Sequence, residues 1–171
     1  MSRAASSSAE PARPGDPDRG ATFVELLVVM AVVAILAAVA APVAETGLRR
    51  AREAELRATL RATRDALDRA HDDWRRGALP ERAEGISEDG WPETLEVLVE
   101  GIPDAEGERR RYLRALPVNP LAPRGTDWSE GWVLRAHDDA EDAERWGGGD
   151  VFDLRPATAG EGLDGTPLAQ W

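Results

Sequence analysis

From Leu26 to Ala44 the chain runs for 19 residues without a formal charge, built from Leu, Val, Ile, Ala and Met with one Pro. Wound as a helix, such a stretch spans most of a hydrocarbon layer roughly 30 Å thick. It is apolar on every side, whereas a lone soluble helix keeps a polar face. No turn signal separates it from the charged segment that begins at Glu45. Leu56, Leu60, Leu67 and Trp74, with Thr63 and Ala70 between, recur at alternating four- and three-residue steps, which is one helical stripe. Ala, Leu, Arg and Glu are strong helix formers, Glu53 and Arg57 stand at i,i+4 spacing, and Gly77 followed by Pro80 ends the pattern. One helix of about 50 residues, roughly 75 Å long, is therefore expected. Its first half is apolar all round and its second half amphipathic, so a sheet or another helix must cover the Leu stripe.

Beyond Pro80 the pattern breaks into short runs punctuated by Gly and Pro. "WPETLEVLVEGI" predicts a short helix over 94–99, with Pro92 in its first turn and Leu95 and Leu98 on one side. "YLRALPVNPLAPRG" reads as extended chain and turns, because Pro117, Pro120 and Pro123 each disfavour helix at the preceding residue. "GWVLRA" and "GDVFDLR" read as two strands of a small antiparallel sheet, joined by a polar loop. Arg109, Arg110 and Arg111 read as a solvated loop available to salt-bridge a neighbouring subunit. The tail has no period and ends in an apolar Trp171, expected to fold back onto the sheet. The fold class expected is α+β.

Charge divides the chain unevenly. Residues 49–76 hold nine Arg and six acids, while 77–171 hold nine Arg and 21 acids, so the distal part is near 9 − 21 = −12. Nucleic acid is not expected as a partner, since its binding needs a basic footprint. With no cysteine, a disulfide framework, a zinc–thiolate cluster and a thiol nucleophile are all excluded. Residues 1–20, rich in Ser, Pro and Gly, cannot build a core and read as a leader. No hydrolase, nucleotide-binding or metalloprotease motif occurs, and the chain is not expected to be an enzyme. His71 and His137 each precede two aspartates, but among so many charges they read as solvated side chains. A transition-metal site needs three or four converging ligands, and only two His exist. The six Trp residues read as core and rim aromatics.

Glu25 stands at the start of the apolar block. An ionised carboxylate at mid-bilayer costs on the order of 2.5 to 3.5 kcal/mol, so a plain anchor gains by losing it. A cut after Gly20 would create an ammonium at Ala21, an opposite charge for Glu25 in the same chain or a neighbour. "RG" followed by "ATFVELLVVMAVVAILAAVAAP" resembles the class III signal of type IV pilins and type II secretion pseudopilins. The resemblance implies that a prepilin peptidase cuts after Gly20 and methylates Ala21. It also implies that Glu25 sets subunit register by meeting a neighbour's N-terminus, and that Pro42 marks a bend or local unwinding of the helix. The first mature residue of that family is usually Phe, where this chain has Ala21 with Phe23 close behind. Pro42 also removes one backbone donor and frees the carbonyl of Ala38.

"DGWPETLEVLVEG", "RYLRALPVNPL", "GWVLR" and "GGGDVFDLRPATAGEGLDGTPLAQW" resemble the globular part of G-type pseudopilins, the major subunit of the type II secretion pseudopilus. This implies a pilin-like fold with a leader over 1–20, a transmembrane and assembly helix over 21–44, and a periplasmic domain over 45–171. It implies a subunit in the bacterial inner membrane whose partners are its own copies, minor pseudopilins, the inner-membrane assembly platform and the prepilin peptidase. G-type pseudopilins bind calcium in the C-terminal loop, for which Asp150, Asp153, Glu161 and Asp164 offer oxygen ligands here, but the family's acid-rich loop is replaced by "RPATAGEGLDGTPLAQW" and by themselves these acids read as surface side chains. Two other readings of the same superfamily are a type IV pilin and a minor pseudopilin. Outside it stand a plain single-pass anchor and a soluble periplasmic binding protein, released by a signal peptidase at the A-x-A-like Ala38–Val39–Ala40.

Overall fold

A computed structural model describes residues 22–140, 143 and 145–171. The leader, Gly20 and Ala21 lie outside the described residues. The chain divides into two units, one ending at Val43 and one beginning at Ala44. The layout is α+β and pilin-like, with a long N-terminal helix and small antiparallel sheets.

Helix α1 spans Phe23–Arg75, 53 residues, as the continuous periodicity requires. Its C-terminus closes on a left-handed glycine, Gly77 at φ +75°. The Gly77 N–H donates to the Trp74 carbonyl at 3.0 Å and the Ala78 N–H to the Asp73 carbonyl at 2.8 Å, the paired bonds of a Schellman motif. In the first unit the described side chains of Phe23–Val43 are all exposed.

In the second unit the stripe of α1 becomes one wall of the core. Leu56, Leu60, Thr63, Leu67 and Ala70 are buried against Leu79, Ile86, Leu95, Leu98, Ile102, Trp132, Val151, Leu154 and Leu168. Thr63 avoids an unpaired hydroxyl by donating to the Thr59 carbonyl at 2.9 Å. Helix α2 spans Glu96–Glu100, two residues later than expected. Pro92 forms an isolated β-bridge to Ile86 instead of opening the helix, while Leu95 and Leu98 do share the buried side.

Among the described residues, two antiparallel two-stranded sheets form where one was expected. Strands β1 (Ile102–Pro103) and β2 (Arg109–Arg110) make a hairpin. Arg109 and Arg110 are thus strand residues rather than a solvated loop, and all three arginines are engaged within the chain. Arg109 donates to the Gly101 carbonyl, Arg110 to Asp104, and Arg111 to the Glu100 carbonyl. Strands β3 (Trp132–Arg135) and β4 (Asp153–Pro156) pair with Trp132 opposite Pro156 and Leu134 opposite Leu154. Strand β4 begins later than expected, because the Val151 N–H is taken by the Pro92 carbonyl at 2.7 Å. The tail does return. Trp171 packs against the core cluster, its carbonyl accepts from Arg64 at 2.8 Å, and the Arg57 guanidinium lies 3.9 Å over its ring.

Candidate functional site

At the start of α1, Thr22 stands at the N-cap and its hydroxyl accepts the Glu25 N–H at 3.2 Å. Glu25 occupies the first turn, where the exposed amides favour a carboxylate. Around it the helix shows only hydrocarbon: Phe23 is 76% exposed, Met30 69% and Val43 69%. Among the described residues, α1 is the helix long and apolar enough to cross a membrane. Pro42 lies inside it without interrupting the assigned helix.

The four acids that are candidate calcium ligands face different partners. Asp150 is buried, and both its carboxylate oxygens meet His137: Oδ1 accepts the His137 N–H at 3.0 Å and Oδ2 lies 2.7 Å from Nδ1. Asp153 is bound by Arg64 at 2.7 Å and faces Arg135 at 3.8 Å. Asp164 pairs with Arg57 and accepts the Thr166 N–H at 3.0 Å, which holds its carboxyl below the usual range. Glu161 is exposed, and its backbone carbonyl accepts from Arg49. Calcium requires six to eight oxygens converging on one point. The carboxylates of Asp150, Asp153 and Asp164 are aimed at imidazole and guanidinium groups instead, so the four do not fit one calcium ion.

Both histidines have specific partners, His71 half-buried and His137 still open to solvent. The His71 ring stacks on Trp91 at 4.0 Å and 2°, with Nδ1 donating to the Gly90 carbonyl at 3.1 Å. His137 lies between Asp150 and Asp89, the latter 3.5 Å from Nε2. The hydrogen bond to Asp150 raises the pKa of His137 above the ordinary imidazole value. Burial opposes this, and the charges of Asp150, Asp89 and Asp138 add to it. Among the described residues, Asp89, His137 and Asp150 bring ligand-type atoms within 4.8 Å of one another.

Residues 17–41 match the family model described as the prokaryotic N-terminal methylation motif. No curated protein and no solved structure matches the chain. The match covers Gly20, Ala21 and Glu25 and stops just short of Pro42. The N-terminal segment therefore carries a prepilin-type signal of the type IV pilin-like class, and with the exposed apolar helix it is consistent with membrane anchoring.

Two features of this region escape a reading of the sequence. Thr22 caps the helix three residues before Glu25, a spacing visible as T-x-x-E once the helix start is fixed. Asp89 joins His137 only through the fold, and no local pattern announces it.

Proposed function

We propose that the chain is a structural subunit of the type II secretion pseudopilus and carries out no catalytic step. The observation that carries this reading is a carboxylate, Glu25, in the first turn of a helix whose side chains are exposed hydrocarbon, inside a matched methylation motif. In lipid, before assembly, the apolar half of α1 satisfies its backbone internally and its side chains against acyl chains. In a fibre the same surface packs against copies of itself, so one surface serves both storage and assembly. Cleavage after Gly20 supplies the ammonium of Ala21, and a neighbour's Glu25 meeting it offsets two desolvated charges at one subunit spacing.

On this reading residues 21–44 anchor the subunit in the bacterial inner membrane and 45–171 lie in the periplasm. The partners are other copies of the chain, minor pseudopilins, the assembly platform and the prepilin peptidase. Assignment to secretion rests on the likeness of the globular stretches to G-type pseudopilins. The helix running unbroken through Ala38–Val39–Ala40 supports a cut at Gly20 over release there by a signal peptidase.

N-terminal sequencing and mass measurement of the membrane-extracted protein test the proposal. The expected result is a methylated chain starting at Ala21. A start near Glu45 would make the protein a released periplasmic one, and a start at Met1 a plain anchor; either overturns the fibre reading.

A further inference from the structure

The turn 87–91 and the loop between β3 and β4 are far apart in sequence, yet they are locked together. The turn is closed by the Ser87 N–H donating to the Trp91 carbonyl at 2.8 Å, the Gly90 N–H to the Ser87 carbonyl at 3.0 Å, and the Trp91 N–H to the Ser87 hydroxyl at 3.2 Å. The neighbouring Val151 N–H to Pro92 carbonyl bond, 2.7 Å, ties it to the chain entering β4. Across this seam Asp89 meets His137. The β3–β4 loop is itself braced, because the Asp139 carboxylate accepts the N–H groups of Ala136 and Gly147 at 2.8 and 3.0 Å, and the Trp146 indole donates to the Asp150 carbonyl at 2.6 Å. The segments that carry Asp89 and His137 are therefore held together by backbone bonds.

We propose that Asp89 and His137 form a binding site for a zinc-type divalent transition-metal ion, with Asp150 as the residue that positions the imidazole. Asp150, 5% exposed in its side chain, holds Nδ1 at 2.7 Å. With the proton on Nδ1 donated to that carboxylate, the Nε2 lone pair is left free on the other side of the ring. A buried carboxylate on the far nitrogen is the usual companion of a metal-bound histidine, since it fixes the tautomer and raises ligand basicity. Asp89 Oδ2 lies 3.5 Å from Nε2. Bonds of about 2.0 to 2.2 Å from one ion to each atom fit that separation with a small adjustment. Both donors reach solvent, His137 being 34% and Asp89 61% exposed, so an ion can enter and water can fill its remaining positions. An imidazole nitrogen in the donor set selects zinc-class ions over calcium, which prefers oxygen alone. Bound there, the ion cross-links the turn to the β3–β4 loop.

The test uses the full chain in detergent, stripped with a chelator and dialysed against zinc chloride at pH 7.5, with bound zinc counted by elemental analysis. Cobalt(II) serves as a visible-spectrum probe of nitrogen coordination. One zinc per chain is expected, with Asp89→Asn and His137→Gln each weakening binding at least tenfold while the far-UV circular dichroism stays unchanged. Asp150→Asn, which leaves both ligands in place, should weaken zinc binding by about tenfold or more. The cobalt spectrum should disappear in His137→Gln, and millimolar calcium should not displace zinc. Equal zinc binding by the wild type, Asp89→Asn and His137→Gln would assign the ion to general surface carboxylates and overturn the proposal, as would no binding at all.

Discussion

Glu53, buried on α1, accepts the backbone N–H of Leu163 through both carboxylate oxygens at 3.1 Å, across 110 residues of sequence. The i,i+4 pair expected with Arg57 is absent: Glu53 bonds Arg49 at 3.1 Å, and Arg57 turns to Asp164 and Trp171. Arg49 also donates to the Glu161 carbonyl, so helix and C-terminal loop share one small network. Glu53→Ala removes the acceptor, and water replaces it in part because Leu163 is itself exposed. Hydrogen bonds to charged groups contribute about 1.5 to 3 kcal/mol, and a loss toward the lower end of that range is expected in denaturant unfolding. Glu53→Gln keeps one acceptor oxygen and should lose less.

Gly77 and Gly90 both have positive φ, but a side chain meets different surroundings at each. At Gly77, φ +75°, a Cβ finds nothing within 4 Å, so Gly77→Ala should cost only the left-handed backbone penalty of about 1 to 2 kcal/mol. At Gly90, φ +82°, a Cβ would fall on the Trp74 ring. That ring stacks with His71 at 5.7 Å, so moving it disturbs the aromatic cluster as well. Thermal unfolding should place Gly90→Ala well below Gly77→Ala.

The helix was legible because its information is local and repeated. Leu56, Leu60, Thr63, Leu67 and Ala70 mark one face over several turns, and their burial follows from spacing alone. Strands β1 and β2 have two residues each, too few for an alternation to show. Their hairpin is organised instead by Asp104, whose carboxylate accepts the N–H groups of Glu106 and Glu108 and the Arg110 guanidinium. A run of three arginines reads as solvent-facing until that acid is known to sit opposite. The same limit hid the Asp89–His137 contact and the engagement of Asp153 by Arg64, since charge pairing across 89 residues leaves no periodic trace. In the candidate site, Glu25 stood out for the opposite reason: it breaks a pattern that every neighbour obeys.

Acid should unfold the globular unit through carboxylates held below their ordinary pKa. The Arg110 hydrogen bond lowers that of Asp104 against some burial, with the Glu108 and Glu106 amides adding to it. The Ala136 and Gly147 amides lower that of Asp139, and the Ser129 hydroxyl and amide that of Asp127. A carboxyl whose folded pKa is depressed contributes stability that is present above its unfolded value, about 3.9, and lost as pH falls through the folded one. Unfolding midpoints should therefore fall steadily below about pH 4. Asp104→Asn should flatten that slope, because an amide cannot titrate; an unchanged slope would remove Asp104 from the account.

Thr22 and Glu25 separate two roles that meet in the first turn of α1. Thr22 caps the helix through the Glu25 N–H at 3.2 Å, and a Glu at this spacing can also return a bond to the N-cap amide. If Glu25 served only the helix end, Thr22→Ala and Glu25→Leu would have similar consequences, each costing about 1 kcal/mol of local stability and little else. If Glu25 instead meets the ammonium of a neighbouring subunit, the two diverge. Glu25→Leu inserts into the membrane at least as well as the wild type, because the most costly group to desolvate is gone, but it forms no fibres. Thr22→Ala frays one turn and still assembles. Membrane fractionation and a filament-forming assay, run on both variants after co-expression with a prepilin peptidase, measure each arm. Fibres from Glu25→Leu would confine Glu25 to helix capping and remove it from subunit register.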